Sequence, residues 1–401
     1  MCELVVDCPH STPKWTDEGI IVLRNQNIKN GVLDLSAPSF TNEEDYQKRI
    51  KRAAPKAGDI VFTREAPMGE VCMIPEGLKC CLGQRQVLLR PKSDVNGQYL
   101  FWALQSPYVQ QQIAWNEGTG STVSNVRIPV LKALNIPRIG NEDMVAKSLS
   151  DIASKMALNT QTNQTLEQMA QAIFKSWFVD FDPVKAKMNG ELPEGMDAAT
   201  ASLFPEKLVE SELGLIPDGW EVKPFSEWVK ITKGKNITKK TIVDGDVPVV
   251  AGGLKPAYFH NAHNVDGPAI TISASGANAG YVNLYFENIW ASDCSYISQS
   301  TTPLFFLQYV ALRYNQKKIF DMQTGAAQPH IYPRDFERLM IVVPNEELCR
   351  KLEEVFASFF RTVANNKQQN INLAALRDTL LPKLLSGEIE LGQAQELAEV
   401  E

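Results

Sequence analysis

The chain has 401 residues, enough for about two to four domains, and its 44% hydrophobic and 22% charged residues are ordinary for a folded globular protein. These values exclude a mostly disordered chain, a collagen and a membrane-embedded protein. No run of 18 apolar residues predicts a membrane-spanning helix, and the first residues carry acids without a basic segment, so we expect no secretory signal. The net charge of −7 argues against coating of nucleic acid along the whole chain.

Charge is distributed unevenly along the sequence. Two near-neutral stretches, 1–140 and 217–345, alternate with two acidic stretches, 141–216 and 346–401. An alternation of this kind is the first indication of an internal repeat.

The two near-neutral stretches predict the same order of elements, namely short strands and then a helix. Apolar runs bounded by Gly and Pro predict strands at 19–24, 59–63, 70–74 and 86–90 in the first stretch. In the second stretch they predict strands at 247–251, 269–273, 280–283 and 295–298. The predicted helices that follow are 97–106 and 304–315. A Thr-Gly pair then opens a similar closing segment in each copy, at 119–120 and 324–325.

Each acidic stretch predicts one helix of about 40 residues, about 60 Å long at 1.5 Å per residue. The apolar positions alternate steps of four and three residues, which is the seam spacing of a coiled coil. The first seam is Val145, Leu149, Ile152, Met156, Asn159, Asn163, Leu166, Ala170, Ile173 and Trp177. The second seam is Leu348, Leu352, Val355, Phe359, Thr362, Asn366, Gln369, Leu373, Leu376 and Leu380. Each position of the second seam lies 203 residues after its counterpart in the first.

The matched seams predict that the two helices pair with each other, because each supplies the apolar stripe that the other lacks. Polar residues in the middle of both seams would fix the register of the pair. We therefore predict an α+β protein: two globular mixed α/β domains separated by two long helices that pair as an antiparallel coiled coil, a pseudo-twofold tandem repeat. The predicted boundaries are domain 1 at 1–140, the first long helix within 141–196, a connector at 197–216, domain 2 at 217–345 and the second long helix within 346–401.

Three short segments resemble a known family. The run FKSWFVDFDP at 174–183 resembles the central conserved region of the specificity subunits of type I restriction–modification systems. The run LPKLLSG at 381–387 resembles their C-terminal conserved region, and IPDGW at 216–220 resembles the opening of their second target-recognition domain. The resemblance covers nearly the whole chain. The first near-neutral stretch has no counterpart of the GWEVKPFSEW opening at 219–228.

The resemblance implies a DNA-recognition subunit without catalysis of its own. Each domain would read one half of a bipartite double-stranded DNA target, and the helices would space the domains and dock partners. The implied partners are two methyltransferase (modification) subunits and motor-nuclease (restriction) subunits. S-adenosylmethionine, ATP and Mg²⁺ would be bound by those partners, and this chain would bind no cofactor. The docking surface that we predict is aromatic: Phe174, Trp177, Phe178 and Phe181.

The cysteines agree with an intracellular location. The chain has seven cysteines with irregular spacing and no C-x-x-C pair, which predicts free thiols in a reducing compartment. Together with the absence of a predicted membrane helix, this leads us to expect a cytoplasmic protein that does not bind membranes.

Two other functions stay open at the level of sequence. Asp218, Glu221 and Lys223 imitate the carboxylate and lysine pattern of a metal-dependent nuclease, although the two acids are too close in sequence for the usual strand pairing. Nucleotide-binding and cofactor-binding glycine motifs are absent from the sequence, as is a clustered set of zinc ligands, so we predict no catalytic or metal site. The second alternative is a coiled-coil scaffold that binds proteins and not DNA.

Both near-neutral stretches carry a dense basic run, which is the local footprint that phosphate binding needs. Base reading requires Arg, Gln, Asn, Ser, Thr or His on loops near that footprint. The predicted DNA-binding residues of domain 1 are Lys48, Arg49, Lys51, Arg52, Arg64, Gln84, Arg85, Gln86, Ser124, Asn125 and Arg127. Those of domain 2 are Lys233, Lys235, Asn236, Thr238, Lys239, Lys240, Ser273, Ser275, Asn278, Gln328 and His330.

Overall fold

The structure is a computed structural model that describes residues 1–115, 125–325 and 328–391. It contains two compact units. Unit 1 combines the described residues of Met1–Leu158 and Gln369–Glu401, and unit 2 is formed by those of Asn159–Gln368. Each unit therefore holds one half of each of the two long helices. Within the described ranges, no helix is long and apolar enough to cross a membrane.

Unit 1 is built from short strands and four helices that precede the first long helix. The strands are β1 (Cys2–Asp7), β2 (Trp15–Thr16), β3 (Ile20–Leu23), β4 (Ile28–Lys29), β5 (Val32–Leu33), β6 (Phe40–Thr41), β7 (Ile60–Thr63), β8 (Val71–Met73), β9 (Cys80–Leu82) and β10 (Gln86–Pro91). The helices are α1 (Glu43–Arg49), α2 (Gly97–Gln105), α3 (Pro107–Trp115) and α4 (Ile128–Ala133). One sheet has the strand order β1-β10-β7-β8 and is antiparallel throughout, and a second has the order β2-β6-β3-β9.

The chain between the two domains is folded. The first long helix, α5 (Glu142–Phe178), is followed by α6 (Asp182–Met188) and α7 (Ala198–Ser202). Two antiparallel strands then form a hairpin, β11 (Leu208–Ser211) and β12 (Gly214–Pro217). Phe204, between α7 and β11, is buried in the core of unit 2.

Unit 2 repeats the plan of unit 1. Its further strands are β13 (Glu221–Pro224), β14 (Thr232–Lys233), β15 (Val247–Val250), β16 (Tyr258–His260), β17 (Ala269–Ser273), β18 (Val282–Tyr285), β19 (Trp290–Ala291), β20 (Cys294–Ser298) and β21 (Met340–Val343). Its helices are α8 (Phe225–Trp228), α9 (Phe305–Tyr314) and α10 (Gln316–Asp321), before the second long helix α11 (Glu346–Ser386). The strand order β14-β20-β17-β18 matches β1-β10-β7-β8 of unit 1 element by element, which confirms the predicted repeat.

The halves of the two long helices run antiparallel within each unit. In unit 1, Val145 and Leu149 of α5 share a core with Leu381 and Leu385 of α11. In unit 2, the later half of α5 meets the earlier half of α11, since Phe174 and Phe356 belong to one core. This confirms the predicted α+β class and the antiparallel pairing.

The buried stripe of α11 departs from the predicted seam after Leu352. Phe356, Phe360 and Val363 are buried, whereas the predicted positions Thr362, Gln369 and Leu376 are exposed. The helix turns these residues inward because Phe360 stacks on Phe306 of α9, with ring centroids 5.4 Å apart. Within unit 2, packing against the globular part therefore overrides the strict alternation of four and three.

The polar middle of the helix pair contains a hydrogen-bonded amide pair inside unit 2. Asn366 Nδ2 donates to Asn163 Oδ1 at 2.9 Å, and Asn163 is 8% exposed. Leucine at position 163 alone would leave the Asn366 amide against an apolar surface, so we expect a loss of about 1–3 kcal/mol of unfolding free energy. Leucine at both positions should recover that loss, since apolar pairs replace buried polar ones at little cost.

Urea unfolding of the two single variants and the double variant measures this coupling. Asn365→Leu, at an exposed amide one residue away, serves as the control and should stay within about 0.5 kcal/mol of the parent. If the effects of the two single changes simply add in the double variant, the amide pair contributes nothing.

All seven cysteines are free, and six of them are buried. Burial raises the pKa of Cys72 and of Cys80 to about 12, so almost no thiolate is present at neutral pH. We expect a disulfide reagent at pH 8 to label the half-buried Cys2 first. The buried thiols should react only after unfolding, which mass spectrometry of the labelled peptides can follow. Rapid native labelling of Cys72 or Cys80 would contradict the packing around β8 and β9.

Candidate nucleic-acid interface

One edge of the main sheet of unit 1 brings several predicted site residues together. At this edge β7 ends at Thr63 and β10 begins at Gln86, and these two residues are paired. The chain continues from β7 into Arg64 and enters β10 from Arg85. The Arg64 amide donates to the Arg85 carbonyl at 2.8 Å, and the Val126 amide donates to the Arg64 carbonyl at 3.1 Å.

Arg64 is the centre of a polar network at this edge. Its guanidinium pairs with Asp7 at 3.0 Å and donates to the Val126 carbonyl at 2.8 Å and to Asn125 Oδ1 at 3.3 Å. Its side chain is only 13% exposed. Arg64 therefore holds β1 and residues 125–126 in place more than it reaches outward.

Arg85 presents its guanidinium to solvent beside this network. It has a backbone φ of +64°, a side chain that is 56% exposed and an ion pair of 3.2 Å with Glu65. Asn125 Nδ2 donates to the same Glu65 at 2.9 Å. Gln84 and Arg127 are exposed next to these residues. The edge thus offers arginine and amide donors of the kind that read guanine and adenine in the major groove.

The corresponding edge of unit 2 has the same backbone framework. The Ala274 amide donates to the Asp293 carbonyl at 3.2 Å, and the Ile331 amide donates to the Ala274 carbonyl at 3.0 Å. These bonds match those of Arg64, Arg85 and Val126, and Ile331 lies 205 residues after Val126. The two units therefore carry one framework with different side chains.

The side chains at the edge of unit 2 are smaller and less basic. Ser275 Oγ donates to the Asp293 carboxylate, and Ser275 forms a backbone bridge with His330. The His330 ring stacks on Tyr332 with centroids 5.9 Å apart, and Lys233 Nζ lies 5.7 Å from the Tyr332 ring. The Gly276 amide donates to the Pro329 carbonyl at 3.0 Å, which joins the segment before Asn278 to the segment between Gln328 and His330.

The first basic run has three exposed members and one buried one. Lys48, Lys51 and Arg52 are exposed, and Arg52 Nη1 approaches the carbonyl of Asp7 at 3.5 Å, close to the Arg64 network. Arg49, by contrast, is 5% exposed. Its guanidinium donates to the carbonyls of Leu82 at 3.0 Å and Gly83 at 3.1 Å.

The prediction that Arg49 contacts DNA is therefore corrected, because its donors are used inside the protein. It secures the loop that carries Gln84 and Arg85. Gln86 is also removed from the proposed interface since it is fully buried, with Oε1 accepting from the Gly83 amide at 3.1 Å. Ser273 is 5% exposed within β17 and is removed for the same reason. Ser124 lies outside the described residues.

The second basic run begins at Lys233, the last residue of β14, and continues along the loop that follows. Lys233, Lys235, Asn236, Thr238, Lys239 and Lys240 are all exposed. The Lys235 amide donates to the Ala291 carbonyl at 2.9 Å, and Trp290 Nε1 donates to the Lys235 carbonyl at 2.9 Å. The loop is thereby attached to the strand pair β15–β19, and its lysine side chains extend into solvent.

Sequence reasoning missed several residues of these edges. Asp7, Glu65 and Asp293 orient the predicted donors but are acids, which a search for DNA contacts passes over. Tyr332 could have been found, because an aromatic residue two positions after His330 suits stacking on a base or a ring.

Burial corrects the aromatic docking prediction for three of its four residues. Phe174, Phe178 and Phe181 are 5%, 4% and 8% exposed and belong to the core of unit 2. Phe174 and Phe178 stack at 4.8 Å, and Phe181 packs edge-on against Trp220 at 5.9 Å. Trp177 is half-buried against Phe204. Phe174, Phe178 and Phe181 join the end of α5 to the rest of unit 2 and are covered by its core, whereas Trp177 stays partly exposed.

The candidate nuclease residues do not form a metal site. Asp218 pairs with Lys207 at 3.1 Å, and Glu221 pairs with Lys223 at 2.7 Å. No group of three or more His, Cys, Asp or Glu side chains suited to a metal ion occurs among the described residues.

Comparison with known proteins gives a consistent result. The model of the type I restriction modification DNA specificity domain matches residues 7–168 and again 217–375. The specificity subunit of the type I restriction enzyme HindI from Haemophilus influenzae is 27% identical over 420 residues, covering 87% of this chain and 90% of the relative. The MjaIX specificity subunit of Methanocaldococcus jannaschii is 26% identical over 364 residues, covering 85% of this chain and 79% of the relative.

The fold is also that of a solved relative. The crystal structure of the S subunit of a type I restriction–modification system from M. genitalium superposes with a TM-score of 0.55 at 18% identity, over 92% of this chain and 93% of the other. The repeated match to the family model and the nearly full-length relatives agree with the repeated framework of the two edges. The chain therefore belongs to the specificity subunits of type I restriction–modification systems, which recognise DNA, have no catalytic activity and carry no cofactor as a family.

Proposed function

We propose that each recognition domain reads one half of a bipartite double-stranded DNA target through its sheet edge. The observation that carries this proposal is the shared framework: the Arg64 and Ala274 backbones make the same two hydrogen bonds, yet the side chains around them differ. A backbone framework that both domains share, with different side chains on it, is suited to reading two half-sites of different sequence. The domains proposed are 1–140 and 217–345, with the long helices between and after them.

The side chains at the two edges support different base preferences. In domain 1, Arg85 and Arg127 can donate two hydrogen bonds to guanine, while Gln84 and Asn125 suit adenine. In domain 2, Ser275, Asn278, Gln328 and His330 provide smaller donors and acceptors. The exposed basic residues beside each edge contact phosphates and fix the register without reading sequence.

We infer that the long helices dock two methyltransferase subunits and, through the assembly, the motor-nuclease subunits. The buried phenylalanines at the end of α5 are not available for this. Other apolar side chains on the long helices are exposed and available for docking. Among them, Leu158 of α5 is 56% exposed, and Ile371 and Leu376 of α11 are 62% and 46% exposed. Apolar residues on a charged helix surface are typical of protein interfaces.

S-adenosylmethionine, ATP and Mg²⁺ belong to the chemistry of those partner subunits in this proposal. The partner subunits then carry out methyl transfer and DNA cleavage, and this chain only recognises the target. A cytoplasmic location suits this role and the seven free thiols.

The experiment that tests this function changes one edge at a time. The chain is assembled with its methyltransferase partner, and the methylated motif is mapped by sequencing. Arg85→Ala should relax one half-site and cost about 1–3 kcal/mol there, while His330→Ala should affect only the other half-site. Lys317→Ala, at an exposed position of α10 outside the proposed interface, is the control and should leave the motif unchanged. If either edge variant relaxes the sequence requirement at both half-sites, the proposal that each domain reads one half-site is refuted.

A further inference from the structure

A third segment of unit 1, residues 24–26, reaches the sheet edge proposed to read DNA. Strand β3 pairs parallel with β9, so both strands end on the same side of the unit. The Gly83 amide, directly after β9, donates to the carbonyl of Leu23, the last residue of β3, at 2.8 Å. Residues 24–26 therefore leave β3 beside the turn that leads to Arg85.

A side-chain contact also joins this segment to the end of β7. Asn25 Nδ2 donates to the carbonyl of Glu65, two residues after β7 ends at Thr63. The carboxylate of the same Glu65 pairs with Arg85. The segment after β3 is thus a part of the edge, although sequence reasoning did not include it.

The same arrangement recurs in unit 2. Strand β15 pairs parallel with β19, and the Ser292 amide, directly after β19, donates to the carbonyl of Val250, the last residue of β15, at 2.8 Å. Two residues later, a Cβ atom at Gly252 would lie 2.6 Å from the carbonyl oxygen of Ser275. Gly252 occupies the place of Asn25, so the contact between this segment and the edge belongs to the framework that both units share.

The two segments differ in the side chains that they present. In unit 2, residues 251–253 are Ala, Gly and Gly, which offer no hydrogen-bond donor beyond the backbone. In unit 1 the residue directly after β3 is Arg24, which is exposed. A long cationic donor therefore lies at this position in one unit only.

The Arg24 guanidinium is held in one orientation. It lies over the Trp15 ring, 5.4 Å from the centroid, and Nη1 donates to Ser39 Oγ at 3.4 Å. Ser39 is held in turn, since its carbonyl accepts from the Val22 amide at 2.8 Å. Stacking on an aromatic face keeps the planar fork of an arginine pre-organised for a bidentate contact.

Most donors of this guanidinium are available for a ligand. Arginine has five N–H donors, and Ser39 accepts from one nitrogen. Asp17 lines the same surface hollow, of about 380 Å³, but no described carboxylate, Asp17 included, forms an ion pair with Arg24. Arg85 differs in this respect, because it pairs with Glu65. Arg24 thus presents an uncompensated positive charge and a fixed fork to solvent.

We propose that Arg24 reads one guanine in the half-site of domain 1, with its guanidinium donating to O6 and N7 in the major groove and with Trp15 as its positioning residue. This inference rests on the proposed function, because it extends the same edge. One arginine fork occupies both acceptors of one guanine, so Arg24 and Arg85 specify different base pairs. Domain 2 makes no equivalent contact, since residues 251–253 lack a side-chain donor.

Motif mapping of the chain assembled with its methyltransferase partner tests this inference. Arg24→Ala should relax the sequence requirement at one base pair, in the half-site that Arg85→Ala also affects but at a different position. Discrimination against the wrong base there should fall about 5- to 150-fold, the equivalent of roughly 1–3 kcal/mol for one bidentate contact. Lys92→Ala, at an exposed residue directly after the other end of β10, is the matched control and should leave the motif unchanged.

Arg24→Lys separates base reading from phosphate binding. It keeps the charge without the fork, so discrimination should be lost as in Arg24→Ala while the salt dependence of binding stays that of the parent. Trp15→Ala should lower discrimination at the same base pair, and Trp15→Tyr should restore it, because either ring supports the guanidinium. If Arg24→Lys keeps full discrimination, or if Arg24→Ala weakens binding to all sequences alike, Arg24 contacts a phosphate and the inference is overturned.

The outcomes also separate this inference from the function on which it rests. If Arg85→Ala relaxes its half-site and Arg24→Ala leaves the motif unchanged, the role of Arg24 is refuted and the proposed function is unaffected. If neither variant changes the motif, base reading by this edge is itself refuted.

Discussion

Replacing Lys235, Lys239 and Lys240 together by alanine should lower the slope of log binding constant against log salt concentration by about 2.7. Each neutralised phosphate contributes about 0.9 to that slope on duplex DNA, and we assign one phosphate to each lysine. All three side chains are exposed on the loop that Trp290 holds in place. The affinity for specific and non-specific duplexes should fall by similar factors, because phosphate contacts fix position and carry no sequence information.

The measurement is a salt titration of DNA binding by the chain assembled with its methyltransferase partner. A variant with Lys317, Lys318 and Lys351 changed to alanine is the matched control. It loses the same three charges at exposed positions outside the proposed interface. If both triple variants lower the slope equally, the effect comes from net charge and the loop makes no phosphate contacts.

Adding one heptad to each long helix should lengthen the spacer between the two half-sites by two or three base pairs. The insertions follow Asn163 and Asn366, and each ends in Asn so that every amide of the polar layer again meets an amide. Seven residues add about 10.5 Å of helix at 1.5 Å per residue. This equals about three base pairs at 3.4 Å each.

Three base pairs also rotate one half-site by roughly 105° at about 10–10.5 pairs per turn. Some affinity should therefore be lost through twisting or bending of the DNA. The half-site sequences should stay the same, since neither sheet edge is altered. Sequencing of the methylated motif measures both the spacer length and the two half-site sequences.

A single insertion, in α5 alone, is the control for this experiment. It shifts the residues of α5 beyond the insertion by one heptad relative to α11, so they no longer meet their partners. This should weaken the pairing of the helices and abolish methylation. An unchanged spacer with full activity after the double insertion would show that the helices dock partners without setting the distance.

The long helices were predictable from the sequence because their signal is local and repeated. Val145, Leu149 and Ala170 are buried as the seam requires, and the strands predicted at 59–63, 86–90 and 269–273 appear as β7, β10 and β17. The exact stripe of α11 was not predictable. Its rotation towards Phe356 and Phe360 depends on α9, which is distant in sequence.

The candidate site could be predicted only in part, for a similar reason. Residue type predicted Arg64 and Arg85 as candidate DNA contacts, and the structure places both at one sheet edge because each adjoins a strand end. Nothing local distinguishes the buried Arg49 from the exposed Lys48 beside it. Their difference arises from the carbonyls of Leu82 and Gly83, more than 30 residues away in the chain. Likewise, an aromatic run such as 174–181 has the same sequence pattern whether it forms part of a core or a docking surface.

The division of the long helices between the units has a consequence for synthesis. Unit 2 ends at Gln368, whereas the core of unit 1 needs Leu381, Leu384 and Leu385 near the end of the chain. Domains generally fold as they emerge from the ribosome, in order of translation. Here the order is reversed: the part of unit 1 that is translated first leaves Val145 and Leu149 without their partners until the last turns of α11 have been made. Premature termination within those turns would thus damage unit 1, although most of unit 1 is translated before unit 2.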